Sequence, residues 1–235
     1  MSVEYDLGFE AKHKVIIAVE GKTEALLFRA FIAKQFKEEA DEIYIANYAG
    51  EANLRGWLSH ASAALSPGEN RVLAITADRE ECVDTTSIVA DINQALPPGF
   101  PQITAPNQPA GDWQRPPYAC LYLYLFPNEG KGSVETMLLD YVKAPKDLEC
   151  ARQYMACLNV EGDRYRTEAQ KDKVITEAIW IASLVRGASK NAHESFYSSF
   201  SQSFSASGNT GPWDFEALKG VLSGIVSDLL QLAGD

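Results

Sequence analysis

The sequence predicts an α/β protein, with a mostly parallel sheet flanked by helices and a helical extension at the C-terminal end. Short apolar stretches of strand length alternate with helical patterns in the first part of the chain, and this alternation is typical of parallel sheets. Beyond residue 145 the strand patterns cease and only helices are predicted. We therefore expect an α/β core at residues 12–145, with a loop insertion at 97–117, and a helical extension at 146–235.

The first predicted unit is a strand, a tight turn and a helix. Residues 14–19 form a short apolar run that ends near a glycine, as a buried strand does, and residues 24–36 repeat apolar side chains at helical spacing. The alternation continues with strands predicted at 43–47 and 71–76 and helices at 52–65 and 85–96. The sheet is therefore expected to be largely parallel.

The proline-rich segment 97–117 interrupts this pattern, and we interpret it as a loop insertion. An aromatic strand is predicted at 118–126, and a turn with two glycines leads into a short helix at 133–142. In the C-terminal extension, helical patterns are predicted at 147–158, 167–185 and 215–232.

Composition narrows the functional classes. Hydrophobic residues make up 46% of the 235, enough for a core without disulfides, and the scattered cysteines and histidines form no zinc pattern. We expect no membrane insertion, because no apolar run approaches the roughly 20 residues that span a bilayer. The N-terminus lacks a signal-peptide pattern, which indicates a cytoplasmic location. The net charge of −11 argues against tight, unaided binding of nucleic acid.

The residues Gly21-Lys22-Thr23 after the first strand resemble the second half of a phosphate-binding P-loop. That motif needs another glycine five residues before Gly21, where this sequence has Ile16. The strand therefore runs into Gly21 without a glycine-rich loop whose N–H groups could surround a triphosphate. The P-loop interpretation is disfavoured.

Three acidic residues are predicted to converge at one edge of the sheet. Glu20 lies at the carboxyl end of the first strand, and Asp78 and Glu80 follow the third, where open α/β sheets place their ligands. Because residues two apart in an extended chain point the same way, Asp78 and Glu80 are expected to offer oxygens to one ion, with Glu20 approaching from the neighbouring strand. Hard oxygen ligands favour Mg²⁺ or Mn²⁺. Glu20, if protonated, is alternatively a general acid or base.

Each acid also has an ordinary structural explanation. Glu20 and Glu24 suit the N-terminal end of a helix, where the dipole favours negative charge, and residues 78–81 suit a solvated acidic turn. The functional interpretation depends on the acids acting together, since without a cation clustered carboxylates would repel one another.

Three basic residues, Lys22, Arg79 and Lys131, fall in the turns of the predicted site. Their side chains are candidates for contacts with phosphate oxygens, and we place Lys22 with Glu20 among the catalytic candidates. Pairing with acidic residues at the surface is the alternative.

The order of these motifs, a Glu-Gly after the first strand and an Asp-x-Glu after a later one, resembles the Toprim family over roughly residues 14–142. The resemblance implies a Rossmann-like core, proton transfer by Glu20, and binding of Mg²⁺ or Mn²⁺ by Asp78 and Glu80. The chain departs from that family in having Glu80 where the second Asp is usual. The longer side chain places its oxygens about one bond farther out, which bears on the metal geometry more than on the fold.

A second resemblance is more specific. Leu125-Phe126-Pro127-Asn128 and the segment from Gly132 to Leu139 are similar to motifs of a Toprim-related bacterial family of unknown function. Lys171 to Lys173 and Trp213-Asp214-Phe215 also resemble that family, so the similarity reaches nearly the whole chain. Glu135 lies in the first segment and is a candidate additional metal ligand, whereas a glutamate stabilised by a helix dipole is the alternative.

Two functions are consistent with these patterns. The first is a magnesium-dependent nuclease or other phosphoryl-transfer enzyme that binds DNA or RNA weakly and through the metal. The second is a non-enzymatic, catalytically degenerate module that docks a partner protein, such as an ATPase or a nuclease subunit. The net charge of −11 and the longer side chain of Glu80 favour the second.

Overall fold

The computed structural model describes residues 5–65, 72–80, 84–98, 100–110, 120–127, 129–158, 170–176, 178–179 and 213–234. Within these residues the chain forms a five-stranded sheet with helices on both faces. The predicted α/β class, with a mostly parallel, Rossmann-like sheet and a C-terminal helix, is confirmed.

The strands are β1 (Val15–Val19), β2 (Ile43–Asn47), β3 (Val72–Asp78), β4 (Pro109–Ala110) and β5 (Cys120–Phe126). Their order across the sheet is β2-β1-β3-β5-β4. The first four strands in this order pair in parallel, and β4 pairs antiparallel with β5. Val15 lies opposite Ile43 on one side and Val72 on the other, so the carboxyl ends of β1, β2 and β3 meet at one edge of the sheet.

The helices are α1 (Lys22–Gln35), α2 (Glu51–Ala64), α3 (Thr85–Ala95), α4 (Val134–Leu139), α5 (Pro145–Leu158) and the C-terminal helix (Phe215–Gly234). A short 3₁₀ helix at Ala40–Glu42 precedes β2. Residues 170–176 and 178–179 are helical, in agreement with the helix predicted at 167–185, whose other residues lie outside the described part of the chain.

Helices cover both faces of the sheet, which explains why β1 is apolar at every position. On one face, Val15, Ile17 and Val19 pack in a cluster with side chains of α1 and the C-terminal helix. On the other face, Ile16 and Ala18 pack with side chains of α2 and α3. These two hydrophobic layers hold the strand ends in fixed positions.

The described part of the predicted loop insertion at 97–117 packs against the core. It contains β4, and within it Ile103 is buried and exchanges two hydrogen bonds with the side chain of Asn93 on α3, each of 2.8 Å. β4 was not predicted, because a strand of two residues is too short to show an alternation of apolar and polar side chains. Residues 111–119 lie outside the described part.

The C-terminal helix packs on the sheet rather than away from it. Leu218, Leu222 and Val226 are fully buried in the same hydrophobic cluster as β1. The helix is entered through Trp213, which is fully buried and forms a β-bridge with Val142. The division into a core at 12–145 and an extension at 146–235 stays a prediction, but this helix completes the hydrophobic layer on one face of the sheet.

The C-terminal helix bears on the expectation about membranes. By length and composition, residues 217–234 would suffice to cross a bilayer, with a mean hydropathy of 1.2 over 18 residues. Leu218, Leu222 and Val226 are fully buried in the core of the protein, whereas 33% of the 18-residue window is buried in all, and the core helix of a soluble protein meets the same criteria of length and composition. The segment contains Lys219 and Asp228, so it is not an uninterrupted apolar run, and the expectation of no membrane insertion stays a prediction.

Candidate functional site

Glu20 and Asp78 lie side by side at the carboxyl edge of the sheet. Glu20 directly follows β1, and Asp78 is the last residue of β3, the neighbouring parallel strand. One carboxylate oxygen of Glu20 accepts a hydrogen bond of 3.3 Å from the backbone N–H of Asp78. The Asp78 carboxylate in turn accepts a bond of 3.0 Å from the backbone N–H of Val134, the first residue of α4. The two predicted acids thus connect β1, β3 and α4.

Glu80 reaches the same region by a backbone conformation that the sequence did not predict. Its φ of 47° lies in the left-handed region, so the chain from Asp78 to Glu80 is not the extended segment that we expected. Glu80 and Gly132 exchange two backbone hydrogen bonds, of 2.6 and 2.7 Å, which bring the turn before α4 next to the end of β3. The reasoning from an extended chain was wrong, although both acids do line the same clefts.

Gly132 is required at this contact for a steric reason. Its φ of 127° is a conformation that residues with a side chain rarely adopt. A Cβ atom there would also overlap the side chain of Thr136 in the next turn of α4. The hydroxyl of Thr136 accepts a hydrogen bond of 3.0 Å from the N–H of Ser133 and donates one of 2.6 Å to Asp172. The helical segment at 170–176 is thereby fastened to the start of α4.

Glu24 is the functional candidate that sequence reasoning missed. It is 1% exposed, in the first turn of α1. Its carboxylate accepts hydrogen bonds from the backbone N–H of Gly21, at 2.7 Å, and from the hydroxyl of Thr76, at 2.9 Å. A signal was present: Glu24 heads the helical spacing of Leu27 and Phe28, which places it on the buried face of α1.

Glu135 is also buried, with 7% of its surface exposed, at the second residue of α4. Its carboxylate accepts a hydrogen bond of 3.0 Å from the hydroxyl of Ser133. Both interpretations offered by the sequence remain compatible with this position, because a helix start and the acidic cluster coincide here.

Burial and mutual repulsion dominate the electrostatics of the site. Burial raises the pKa of Asp78 well above its usual range, and the neighbouring charges of Glu24, Glu20 and Glu135 raise it further. Burial likewise raises the pKa of Glu20, with Glu80 as a contributing charge, and it raises the pKa of Glu24 to about 8. These carboxyl groups therefore keep their protons to higher pH than exposed ones do, because the hydrogen-bond donors of the site do not compensate their charged forms.

Two clefts open beside these carboxylates and share Glu20, Asp78 and Glu80. The first, which we call the α1–α4 cleft, has a volume of about 300 Å³ and lies between the starts of α1 and α4 and the helical segment at 170–176. It contains all five residues predicted for the site, together with Glu24 and Lys173: Glu20, Lys22, Asp78, Glu80 and Glu135.

The second opening, the α2–α3 cleft, has a volume of about 290 Å³ and lies between the end of β3 and helices α2 and α3. Arg79 lines it, whereas Lys131 is exposed in the turn before α4 and lines neither cleft. Of the three basic candidates, the structure therefore places Lys22 and Arg79 beside the carboxylates, in different clefts.

The described carboxylates are close but not arranged around one point. Within the described ranges, no three Asp, Glu, His or Cys side chains converge in a geometry that could hold a metal ion as they stand. The site therefore has oxygen donors of a type that metal ions bind, but in the described residues their side chains do not surround a common point.

The chain matches one protein family, described as "Protein of unknown function (DUF3226)", over residues 14–201. This range contains the whole acidic site and the sheet. No curated protein and no solved structure matches the chain significantly.

Proposed function

The chain belongs to DUF3226, a family of unknown function. From its acidic site, we propose that it is a divalent-metal-dependent nuclease or phosphoryl-transfer enzyme of the Toprim type. Its substrates are nucleic-acid phosphodiesters, its metal is Mg²⁺ or Mn²⁺, and its location is the cytoplasm. The observation that carries the proposal is the position of Glu20, Asp78 and Glu80, which lie together between two clefts at the carboxyl edge of a parallel sheet.

The donor chemistry of these residues fits a hard divalent cation. Carboxylate oxygens are the ligands that Mg²⁺ and Mn²⁺ prefer, and three or more carboxylates share this part of the protein. Burial raises the pKa of Asp78 and the charges of the neighbouring carboxylates raise it further, and a bound cation would offset both effects. Rotation of side chains toward Asp78 is required, because the side chains as they stand do not converge.

In this proposal Asp78 and Glu80 hold the ion, with Glu20 and Glu135 beside it. A bound divalent cation supplies Lewis-acid polarisation of the phosphate and a water of lowered pKa. Glu20, partly buried and next to the N–H of Asp78, is placed to accept or donate a proton at the reacting water. Lys22 is exposed at the start of α1 and contacts a phosphate oxygen of the substrate.

The net charge of −11 is consistent with a metal ion, and not the protein surface, providing the main attraction for phosphate. A protein this acidic does not hold a phosphate backbone by counterion release, so the metal has to provide the main attraction. We therefore expect binding of DNA or RNA to be weak without a divalent cation and to strengthen when one is present.

Cleavage assays test the proposal. Purified protein is incubated with labelled single-stranded DNA, duplex DNA and RNA, with Mg²⁺, with Mn²⁺ or with a chelator. We expect metal-dependent cleavage that Glu20→Gln and Asp78→Asn remove and that the exposed-residue control Glu38→Gln keeps. Folded wild-type protein that cleaves none of the three substrates, or variants that cleave as fast as wild type, would rule out the enzyme.

A second candidate function is a non-catalytic module of the same fold that docks a partner protein. The observation that favours it is the lack of three converging ligands in the described residues, together with Glu80 in place of the shorter acid. Under this alternative Mg²⁺ and Mn²⁺ leave the thermal stability unchanged at millimolar concentration. Co-purification from native cells would then recover a stable partner, such as an ATPase or nuclease subunit.

A further inference from the structure

The α2–α3 cleft has an apolar wall that the proposed chemistry does not use. Ile88, Ile92 and Ala95 lie at helical spacing on one face of α3, and Leu54 on α2 lines the same cleft. Ile92 and Leu54 are buried, whereas Ile88 and Ala95 are only partly buried. The wall therefore offers contact area to a ligand.

The other end of this cleft is the acidic site itself. Glu20, Asp78 and Glu80 line it, so a group held against the apolar wall lies beside the residues proposed to bind the metal. Arg55, on α2, also lines the cleft and is exposed. Its guanidinium forms no ion pair with any residue that the structure describes, which leaves it available to an anionic ligand.

From this arrangement we propose that the α2–α3 cleft is a nucleotide subsite. The base lies against Ile88, Ile92 and Ala95, Arg55 contacts the sugar-phosphate, and the phosphate at the far end meets the acidic site. This inference rests on the proposed function, and it adds to it the substrate class: a single nucleotide unit of a strand that is not base-paired at that point.

The volume of the cleft and the guanidinium of Arg55 together favour this occupant. The cleft volume of about 290 Å³ is just below the roughly 300–1,000 Å³ usual for small-molecule sites, so it suits a ligand of one nucleotide and not a base pair. An apolar ligand without a phosphate would give the guanidinium of Arg55 no anionic partner.

The acidic side chains make this binding depend on a cation. Five carboxylates line the cleft against two guanidinium groups, those of Arg55 and Arg79: Glu20, Glu51, Asp78, Glu80 and Asp91. A phosphorylated ligand is therefore repelled unless a divalent cation is bound. A base that enters the cleft leaves its Watson–Crick partner, so duplex DNA has to fray first.

Equilibrium binding of two small probes tests the subsite without relying on catalysis. Thymidine 5′-monophosphate and 2-deoxyribose 5-phosphate share the sugar phosphate, and the second has a hydroxyl at C1′ in place of the base. Each is titrated calorimetrically into the full chain with saturating Mg²⁺. We expect the nucleotide to bind about tenfold more tightly than the base-free sugar phosphate, because its base removes apolar surface of the aliphatic wall from water. Without Mg²⁺ both are expected to bind weakly.

Substitutions on α3 test whether the preference for the nucleotide comes from the α2–α3 cleft. Ile88→Trp fills the apolar wall and should reduce the preference for the nucleotide to near equality, and Ala95→Leu is a milder filling change in case the first variant does not fold. Ala90→Trp is the matched control, because Ala90 is exposed on the same helix and does not line the cleft. Arg55→Ala should weaken both probes alike.

Binding and cleavage measurements together test the nucleotide subsite and the proposed enzyme activity independently. Equal affinity of the two probes for wild type, or equal loss in Ile88→Trp and Ala90→Trp, would overturn the subsite. Cleavage of a single-stranded oligonucleotide is measured on the same samples. A base preference without cleavage would reject the proposed enzyme and leave the nucleotide subsite standing, whereas cleavage without a base preference would do the reverse.

Discussion

The hydroxyl of Thr76 donates a hydrogen bond of 2.9 Å to the carboxylate of Glu24, and both side chains are buried. Thr76 is on β3 and Glu24 is in the first turn of α1, so the bond joins two elements next to the proposed metal-binding residues. The Glu24 side chain is only 1% exposed and accepts hydrogen bonds from two donors. Its ionised form therefore lowers the stability of the folded protein, because a buried charge loses its hydration.

The first prediction concerns the pH dependence caused by Glu24. Its pKa is raised to about 8 by burial, from 4.5, so the folded state prefers the protonated form. The stability that this group contributes is fully present below its unfolded pKa and is lost as the pH rises through about 8. Glu24→Gln cannot ionise, so we expect it to exceed wild type in stability by about 2 kcal/mol or more near pH 9, since one pKa unit corresponds to about 1.4 kcal/mol.

Urea denaturation in the presence of a chelator, repeated from about pH 5 to about pH 9, measures this difference. The gap between Glu24→Gln and wild type should shrink toward the acidic end. Glu38→Gln removes an exposed carboxylate and should follow the wild-type curve. A Glu24→Gln protein whose stability falls with pH as steeply as that of wild type would contradict the assignment.

The second prediction is that Mg²⁺ stabilises the folded protein. A ligand at about 100 times its dissociation constant adds about 2.7 kcal/mol, and at about 2–4 °C per kcal/mol for a chain of this size Tm rises by roughly 5–10 °C. The increment should disappear in Asp78→Asn, in which an amide oxygen can still accept the bond from Val134 but the charge is gone. Differential scanning fluorimetry with and without the metal measures it, and an equal increment in the variant would place the metal elsewhere.

The third prediction tests the contact that brings the turn before α4 to the end of β3. Gly132→Ala should lower the stability by about 2–4 kcal/mol, through strain at φ 127° and overlap with Thr136. Gly130→Ala in the same turn is the control, because its φ is 80° and a Cβ atom there meets open space, so the cost should be about 1–2 kcal/mol. Chemical denaturation compares the two, and similar costs would argue against the steric reason.

The fourth prediction concerns the C-terminal helix. Leu222 is fully buried against the sheet, so Leu222→Ala should cost about 2–5 kcal/mol and lower the single unfolding transition of the whole protein. Its neighbour Val221 is 39% exposed, and Val221→Ala should change the stability by about 0.5 kcal/mol or less. A separate transition for the helix, with the rest of the protein unaffected, would show instead that it folds apart from the sheet.

Much of the architecture was predictable because the periodicity of apolar residues follows directly from strand and helix geometry. The strand at 43–47 was predicted with its observed ends, and β1, β3 and β5 were each predicted to within two residues. The neighbourhood of Glu20 and Asp78 was also predictable, because parallel strands end at the same edge of a sheet.

Other features depend on contacts between distant segments, which no local pattern contains. The left-handed backbone of Glu80 arises from its pairing with Gly132, more than fifty residues away, and it replaced the extended turn that we expected. The two-residue β4 is defined only by its antiparallel pairing with β5.

The sequence by itself determined the alternation of strands and helices and the placement of two acids at one edge of the sheet, because both follow from periodicity and chain direction. Only the tertiary structure decided that Glu24 lies beside them, bonded to Thr76, and that two clefts share their carboxylates. The helical spacing gives the face of α1 on which Glu24 lies, but its partner Thr76 on β3 is 52 residues away in the chain, and no single stretch of sequence specifies that pairing.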